Sequence, residues 1–526
     1  MKSQVDTTTS ATERSISGFL DDGEFLGGRP VVNRKRTMKT GTTRMAIIGG
    51  GLSGSLVALN LLHQEIPSSI AITLVEKDRP AGVGVAYSTG RQYHLLNVPA
   101  NRMGAPPNDP GHFVRWLERK GITVNPAGFE PRGRYGEYIR DLLVNASARV
   151  TNQRSIGRVH DEAIDLVPTG EGDFEVRTRS GRAFGADRVV LALGNYPPPN
   201  PRLTDMSFTG SPRYHRNPWA PDTIQDLRKD ETVFIIGTGL TMVDVVLTLR
   251  HRQHRGQVIA VSTHGYVPQP HKPTSPYPSF IEELQPLNST LDLLKVIRKH
   301  IRLAEGTGTD WRAVVDSLRP HTQEIWLRLP LEEKHSFLAH LRHLWGVARH
   351  RMPPECAQII DEMATSGQLR IEAGRITRLS DQGGNIEVEY LRRDNSESVV
   401  LNAGSVINCT GPESNLNKIK DPLIENLLKR GLIRNDDLSM GIDALPNGSV
   451  INREGVHSDN LYTLGPPLKG ILWESTAVPE IRQQAHDLAN LLHAAFLKNT
   501  NEGKSVLTKD SKHNSVPVGV TAALIG

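Results

Sequence analysis

Three glycines carry the first chemistry in this chain. Gly49, Gly51 and Gly54 follow the GxGxxG spacing. The apolar run Ala46-Ile47-Ile48 precedes them, and Leu56, Leu59 and Leu62 follow at helical spacing. Residues 70–76, IAITLVE, read as a second strand that ends in Glu76, 22 residues beyond Gly54. Each position has a physical role. The first glycine turns the chain sharply from strand to helix, the second lets backbone approach a pyrophosphate, and the third lets helix and strand pack closely. The phosphate then sits on the helix N-terminus, with Ser53 inside the turn, and the Glu76 carboxylate accepts from an adenosine ribose. A strand, turn, helix, strand and acid in register predict a dinucleotide site.

A second unit of the same kind starts about 190 residues later. Residues 232–236, TVFII, lead into Gly237 and Gly239, and a helix follows through Val243, Val246 and Leu249. Met242 stands where the third glycine would be, which predicts looser packing at the helix start, and Asp244 lies just beyond. Thr241 can offer its hydroxyl near a pyrophosphate. Val258–Ser262 is the next strand, followed by Thr263 and His264. An arginine there would suit the 2′-phosphate of NADPH and an acid the ribose of NADH. With neither present, His264 or Lys272 is the available cation, so NADPH is expected and NADH stays possible.

The rest of the composition excludes several classes. Lys+Arg number 62 and Asp+Glu 57, a net charge of +5 with only short basic clusters, which argues against a nucleic-acid partner. No apolar run reaches the ~18 residues of a spanning helix. The two cysteines, Cys356 and Cys409, form no CxxC pair, which excludes a redox-active disulfide, a disulfide framework and a cysteine zinc site. His340 and His343, like His251 and His254, lack acids or cysteines at metal-ligand spacing and read as surface or packing residues. Sparse cysteine and the absence of an apolar leader fit a cytoplasmic protein. Oligomeric state stays open.

Between the two units, residues 188–194 (RVVLALG) run as an apolar strand into Gly194, and after the second unit residues 405–411 (SVINCTG) run into Gly411. Both resemble the ATG-type strand ends of two-dinucleotide flavoproteins, where the chain passes between the flavin and nicotinamide domains. Residues 460–465, NLYTLG, resemble the late strand whose glycine, here Gly465, approaches the flavin diphosphate; the usual following Asp is Pro466. Phe208, Gly210, His215 and Trp219 resemble the FxGxxxHxxxW fingerprint of class B flavin monooxygenases, with one extra residue before His215. The segment equally suits an interdomain loop anchored by an aromatic. Residues 82–107 with Asp109, the run WGVARHRMPP at 345–354, and GILWESTAVPEIRQQA at 470–485 are similar to the bacterial FAD/NAD(P)-binding family. That family is related to class B flavin monooxygenases and amino-acid N-hydroxylases, and the resemblance spans roughly residues 45–497.

The resemblance implies FAD as the first cofactor. Gly82 and Gly84 would then bring backbone amides to it. Asn97 could bond the flavin edge or simply form a turn. Glu474, Ser475 and the residues to Ala477 lead into the last helix, whose N-terminus would face the flavin pyrimidine. Arg349, His350 and Arg351 read either as a cationic patch for an anion or as an ordinary basic helix end.

The expected fold is α/β: a Rossmann-like FAD domain, split in sequence, with an inserted NAD(P)-binding domain. The expected boundaries are 1–44 for a disordered tail, 45–215 and 401–497 for the FAD domain, and 216–400 for the NAD(P) domain. A helical insertion is expected at about 280–363, and a second tail at 498–526. The leading function is a single-component flavin monooxygenase that uses NAD(P)H and molecular oxygen on a small-molecule substrate such as an amine. His215 and Asn97 are its candidate catalytic residues. An NAD(P)H:acceptor reductase and a non-catalytic flavin sensor are the alternatives.

Overall fold

A computed structural model describes residues 42–64, 69–149, 154–170, 172–220 and 223–510, with side chains to residue 495. The expected N-terminal tail, apart from its last three residues, lies outside the described residues. The strands, in chain order, are β1 Thr43–Ile48, β2 Ile70–Glu76, β3 Arg154–His160, β4 Ala163–Pro168, β5 Phe174–Thr178, β6 Ala183–Ala186, β7 Arg188–Leu191 and β8 Tyr214–His215. They continue with β9 Val233–Ile236, β10 Val258–Ser262, β11 Leu369–Asp381, β12 Ile386–Arg392, β13 Ser398–Ala403, β14 Ser405–Asn408, β15 Ser449–Ile451 and β16 His457–Thr463.

Two large sheets organise them. The first has the order β15-β16-β7-β1-β2-β3, parallel throughout except for the edge pair β15 and β16. The second has the order β13-β12-β11-β10-β9-β14-β8, parallel from β11 to β8 and antiparallel beyond. A small antiparallel sheet, β4-β5-β6, completes the set.

The central strands are apolar on both sides because helices or a second sheet cover both faces. Met45 and Ile47 of β1 enter one core with the helices Leu52–His63, Arg132–Ala148 and Val478–Asp510. Ala46 and Ile48 enter the opposite core with β4, β5 and the helix Pro422–Arg430. The same period-two split recurs in β9, with Val233 and Ile235 on one side and Phe234 and Ile236 on the other.

The chain leaves the first sheet after β7 and returns to it after β14. Between β10 and β11 it makes the helical excursion, from Ile281–Leu284 to Pro354–Thr365. The last helix, expected to close at residue 497, runs Val478–Asp510; the remainder of the expected C-terminal tail lies outside the described residues.

Candidate functional site

Strand order reverses at β1 in the first sheet and at β9 in the second, the places where ligands bind in open α/β sheets. A glycine turn follows each. Gly49 has φ +104°, and a Cβ there would lie 2.2 Å from the Ala192 carbonyl oxygen. A Cβ on Gly54 would lie 2.0 Å from the Gly49 oxygen, so helix and strand touch backbone to backbone. Gly51 opposes only Gly84, whose Cα would be 3.5 Å from an added Cβ. Gly82 donates its N–H to Gly50 O at 2.7 Å. Gly465 closes on Ser53, with 2.7 Å between a Cβ built on Gly465 and the Ser53 Oγ. The structure thus gathers Gly49, Gly51, Ser53, Gly54, Gly82, Gly84 and Gly465 into one bare-backbone cradle. Glu76 borders it, accepting the Gly50 N–H at 2.9 Å and the Lys77 N–H at 3.0 Å.

These residues fit a dinucleotide. The helix Leu52–His63 has no side-chain cap and no acid in its first turn, so its N-terminal amides are left for a phosphate. A Cβ added at Gly194 or Gly411 would meet nothing within 4 Å. Two buried polar atoms, one of them beside this edge, have no partner among the described residues. Ser475 Oγ is one; the other is Gln484 Nε2, whose Oε1 accepts the Gly465 N–H at 2.9 Å. Orphaned buried groups of this kind call for a partner outside the chain.

In the second turn, Gly237 has φ +103° and a Cβ there would lie 2.7 Å from the Cys409 oxygen; a Cβ on Gly239 would meet nothing within 4 Å. The helix Leu240–His251 also begins without a side-chain cap or first-turn acid. Thr241 is half-buried, and its hydroxyl makes no hydrogen bond among the described residues. Thr238 ties the turn to the strand beyond, lying 2.8 Å from Ser262 Oγ and donating to Tyr266 O at 2.5 Å. Met242 is fully buried in the core beneath. Lys272 is paired with Asp310 at 3.4 Å, which leaves His264 beside the end of β10.

The two halves are joined by a polar seam that the sequence did not disclose. Arg132 donates to Asp244 at 2.6 Å and to Leu95 O at 2.9 Å. His94 lies between Thr89 (3.1 Å) and Thr248 (2.9 Å), and burial holds its pKa down at about 4. Tyr93 stacks on His251 with centroids 3.8 Å apart. Trp219, from the fingerprint-like segment, meets His94 edge-on at 6.2 Å and lies 6.0 Å from the Arg132 guanidinium. His271 reaches across to Asn97 O at 3.0 Å, and its pKa is likewise pushed down to about 4 by burial. The Asn97 amide side chain is half-buried and makes no hydrogen bond among the described residues.

His215 lies apart from that seam's hydrogen bonds. It sits on edge strand β8 in register with Ile407, and burial lowers its pKa against the pull of Glu231 and Asp226. Phe208 of the same segment is fully buried, edge-on to Tyr214 at 4.8 Å.

The helical excursion docks on residues 470–480. Trp326 Nε1 donates to Gly470 O at 2.9 Å and its ring stacks on Trp473 at 5.0 Å; Phe337 meets Trp473 edge-on at 5.0 Å. Trp473 has φ +40° and ψ −69°, a strained conformation for a bulky residue that this packing holds in place. Glu474, adjacent, accepts from Trp345 Nε1 at 2.8 Å and faces Arg349 at 3.6 Å and His350 at 4.0 Å. Burial works to raise the Glu474 pKa, but Arg349 and His350 outweigh it and the carboxyl is held down. Arg349 also meets Glu480, which Arg319 grips with two bonds of 2.9 and 3.2 Å, and Arg351 pairs with Asp316 at 2.9 Å. The run Arg349-His350-Arg351 is therefore not an open patch for an anion: both arginines are buried against acids from other segments. A buried Glu between a tryptophan and an arginine was legible in WESTAVPE only as a charge in an apolar run.

Comparison with known proteins agrees with this geometry. Residues 46–196 match the model of the FAD-NAD(P)-binding family. Over 220 residues the chain is 25% identical to the uncharacterized protein YdhS of Escherichia coli (strain K12). That alignment spans 39% of this chain and 39% of the relative, well under two thirds of its length.

Three solved structures share the fold. The ornithine N-hydroxylase KtzI of Kutzneria sp. 744, with reduced FAD, NADP+ and L-ornithine, superposes with a TM-score of 0.58 at 13% identity, covering 87% of this chain and all of that one. The reduced ornithine hydroxylase PvdA of Pseudomonas aeruginosa gives 0.58 at 14% identity, covering 86% and 99%. DfoA, the FAD-bound cadaverine monooxygenase of Erwinia amylovora, gives 0.58 at 13% identity, covering 86% and 94%. At such identities the likeness establishes the two-dinucleotide flavoprotein fold. No helix among the described residues is long and apolar enough to cross a membrane.

Proposed function

We propose that this chain is an FAD-dependent, NAD(P)H-using flavin monooxygenase acting with molecular oxygen on a small molecule such as an amine. The observation that carries the reading is the pair of uncapped glycine turns, one at the switch point of each sheet, joined through the Arg132–Asp244 seam. The shared fold with three enzymes that hydroxylate or oxygenate amines supports it.

The division of labour follows from the residues. Bound FAD would supply the two-electron chemistry that no side chain here can perform. The amides of the first turn would hold its diphosphate, and Glu76 its ribose. Ser475 and Gln484 would satisfy their orphaned atoms on it. The turn at Gly237 and Gly239 would hold the nicotinamide nucleotide's diphosphate. The seam fixes the two turns relative to one another, which sets how closely the two cofactors approach. Asn97 and His215 have ring or amide atoms free of hydrogen bonds among the described residues and stay the candidates for touching substrate or nicotinamide. Electrons have no route through a dithiol. Cys356 and Cys409 are both buried and unpaired, and burial pushes the Cys356 thiol up to about 12 and Cys409 higher still.

The test is to load the purified protein with FAD, supply NADPH or NADH under oxygen, and screen amines. Expected are flavin reduction, oxygen consumption and a hydroxylated product in proportion to nucleotide oxidised. Rapid turnover with a quinone or dye and no oxygen in any product would replace this reading with an acceptor reductase. Tight FAD that neither nucleotide reduces would replace it with a flavin sensor.

A further inference from the structure

The second turn lacks, in sequence, any residue suited to read the adenosine ribose. Thr263 and His264 stand where an arginine or an acid is expected. The tertiary structure brings a cation there from 130 residues away. Arg393, just past β12, hangs from the same strand end: its N–H donates to Ala373 O at 2.9 Å, and Ala373 is the register partner of Ser262. Its guanidinium turns back over the loop, where Nη1 donates to Thr263 O at 3.2 Å and contacts His264 Nδ1.

More nitrogen-bearing side chains converge on the same spot. His343, from the helical excursion, has its ring centroid 4.8 Å from that of His264, and Arg342 lies 3.5 Å from His343. His264 stacks on Tyr266, whose backbone oxygen is bonded by Thr238 of the phosphate-binding turn. The cluster is thus tied directly to Gly237 and Gly239. Neither Arg393 nor Arg342 forms an ion pair among the described residues. The nearby acid on the adjacent strand, Glu372, is already engaged by Tyr390 at 2.7 Å and Arg392 at 3.1 Å. The two arginines, held beside two imidazoles and without an ion-pair partner among the described residues, leave positive charge that an anion would satisfy.

We propose that Arg393, with His264 and the Arg342–His343 pair, forms the seat for the 2′-phosphate of NADPH, so that Arg393 selects NADPH over NADH. The proposal rests on reading the Gly237 turn as the nicotinamide site. A phosphomonoester offers three acceptor oxygens to the guanidinium fork and the imidazoles. Its arrival would pin the β10 loop, the turn after β12 and the helical excursion together.

The test titrates the purified FAD-loaded protein with 2′,5′-ADP and with ADP by calorimetry. Binding of 2′,5′-ADP is expected to be about tenfold tighter or more. Arg393→Gln should abolish that preference while leaving ADP affinity and flavin content unchanged, and Arg393→Lys should restore part of it. Flavin reduction should show the same pattern, as a rise in KM for NADPH but not for NADH. Equal affinity for the two ligands in the native protein, or a preference that survives Arg393→Gln, would overturn the proposal. The two readings fail separately. A protein that prefers 2′,5′-ADP yet is reduced by neither nucleotide loses the oxidoreductase reading and keeps this seat. One reduced equally well by NADH and NADPH keeps the oxidoreductase and loses the seat.

Discussion

The turn after β1 and the turn after β9 occupy the same place in their sheets, and they are closed in different ways. In the first, Gly54 lets the helix sit so close that a methyl would overlap the Gly49 carbonyl at 2.0 Å. In the second, Met242 fills the equivalent position and its side chain enters the core, while Gly239 has free space around it. The first turn is bordered by a carboxylate, Glu76, bonded to the turn itself. The second is bordered by Arg393 and His264. One motif thus serves two ends. A turn packed backbone to backbone, with a fixed acid, suits a cofactor that stays. A turn with room and a cationic rim suits an anionic nucleotide that must enter and leave.

The sharpest way to break this contrast is a pair of substitutions. Gly54→Ala puts a Cβ into backbone and should cost the protein its FAD and much of its folded yield. Met242→Ala should cost about 2–5 kcal/mol of stability through the cavity it leaves, with FAD retained. Flavin-to-protein ratio and Tm measure both. A Gly54→Ala protein with full flavin would show that the two turns are not closed differently.

The joint between the regions comes next in size. The Arg132 and Asp244 side chains are only 16% and 6% exposed, so removing one leaves the other charged and buried. Asp244→Asn should cost about 3–5 kcal/mol in denaturant unfolding. Reduction by NADPH should slow while FAD stays bound, because the seam sets how the two turns face one another, whereas the backbone of the first turn itself holds the flavin cofactor. Unchanged reduction kinetics would separate the seam from nucleotide delivery.

The smallest expected effect is a pH dependence. His94 and His271, one on each side of the joint, have pKa values lowered to about 4 by burial, against roughly 6.5 in an unfolded chain. Between those values the unfolded state binds more protons, so stability is full above about pH 6.5 and is lost as pH falls towards 4. Thermal melts should be flat from pH 7 to 8 and decline below 6.5. His94→Gln should flatten part of that decline; a variant as acid-sensitive as the native protein would show that His94 does not carry it.

Much of the fold was readable from local pattern. β2 and β10 span the expected residues, and the helical excursion lies where leucines recur at helical spacing, because strand and helix periods are set by backbone geometry alone. The first cradle was readable too: Gly49, Gly51, Gly54 and Glu76 meet because one strand-turn-helix-strand unit carries them all. Other features were not. The small sheet of β4, β5 and β6 arises in a stretch whose alternation is short and broken by a register shift at β4. The seam joins Arg132 to Asp244, 112 residues apart. The aromatic stack of Trp326 on Trp473 and the buried Glu474 depend on where the excursion docks.

The sequence by itself determined two strand-turn-helix-strand units and the glycine geometry of each turn, because glycine's missing Cβ and the strand-helix period act within a few residues. Only the tertiary structure decided what rims those turns. Arg349 and Arg351, adjacent to a basic-looking helix end, are consumed by Glu474, Glu480 and Asp316, whereas Arg393, unremarked in sequence, is delivered to the nucleotide edge. A charge is free or spent according to which distant segment packs against it, and that is settled by how the chain crosses between its two sheets.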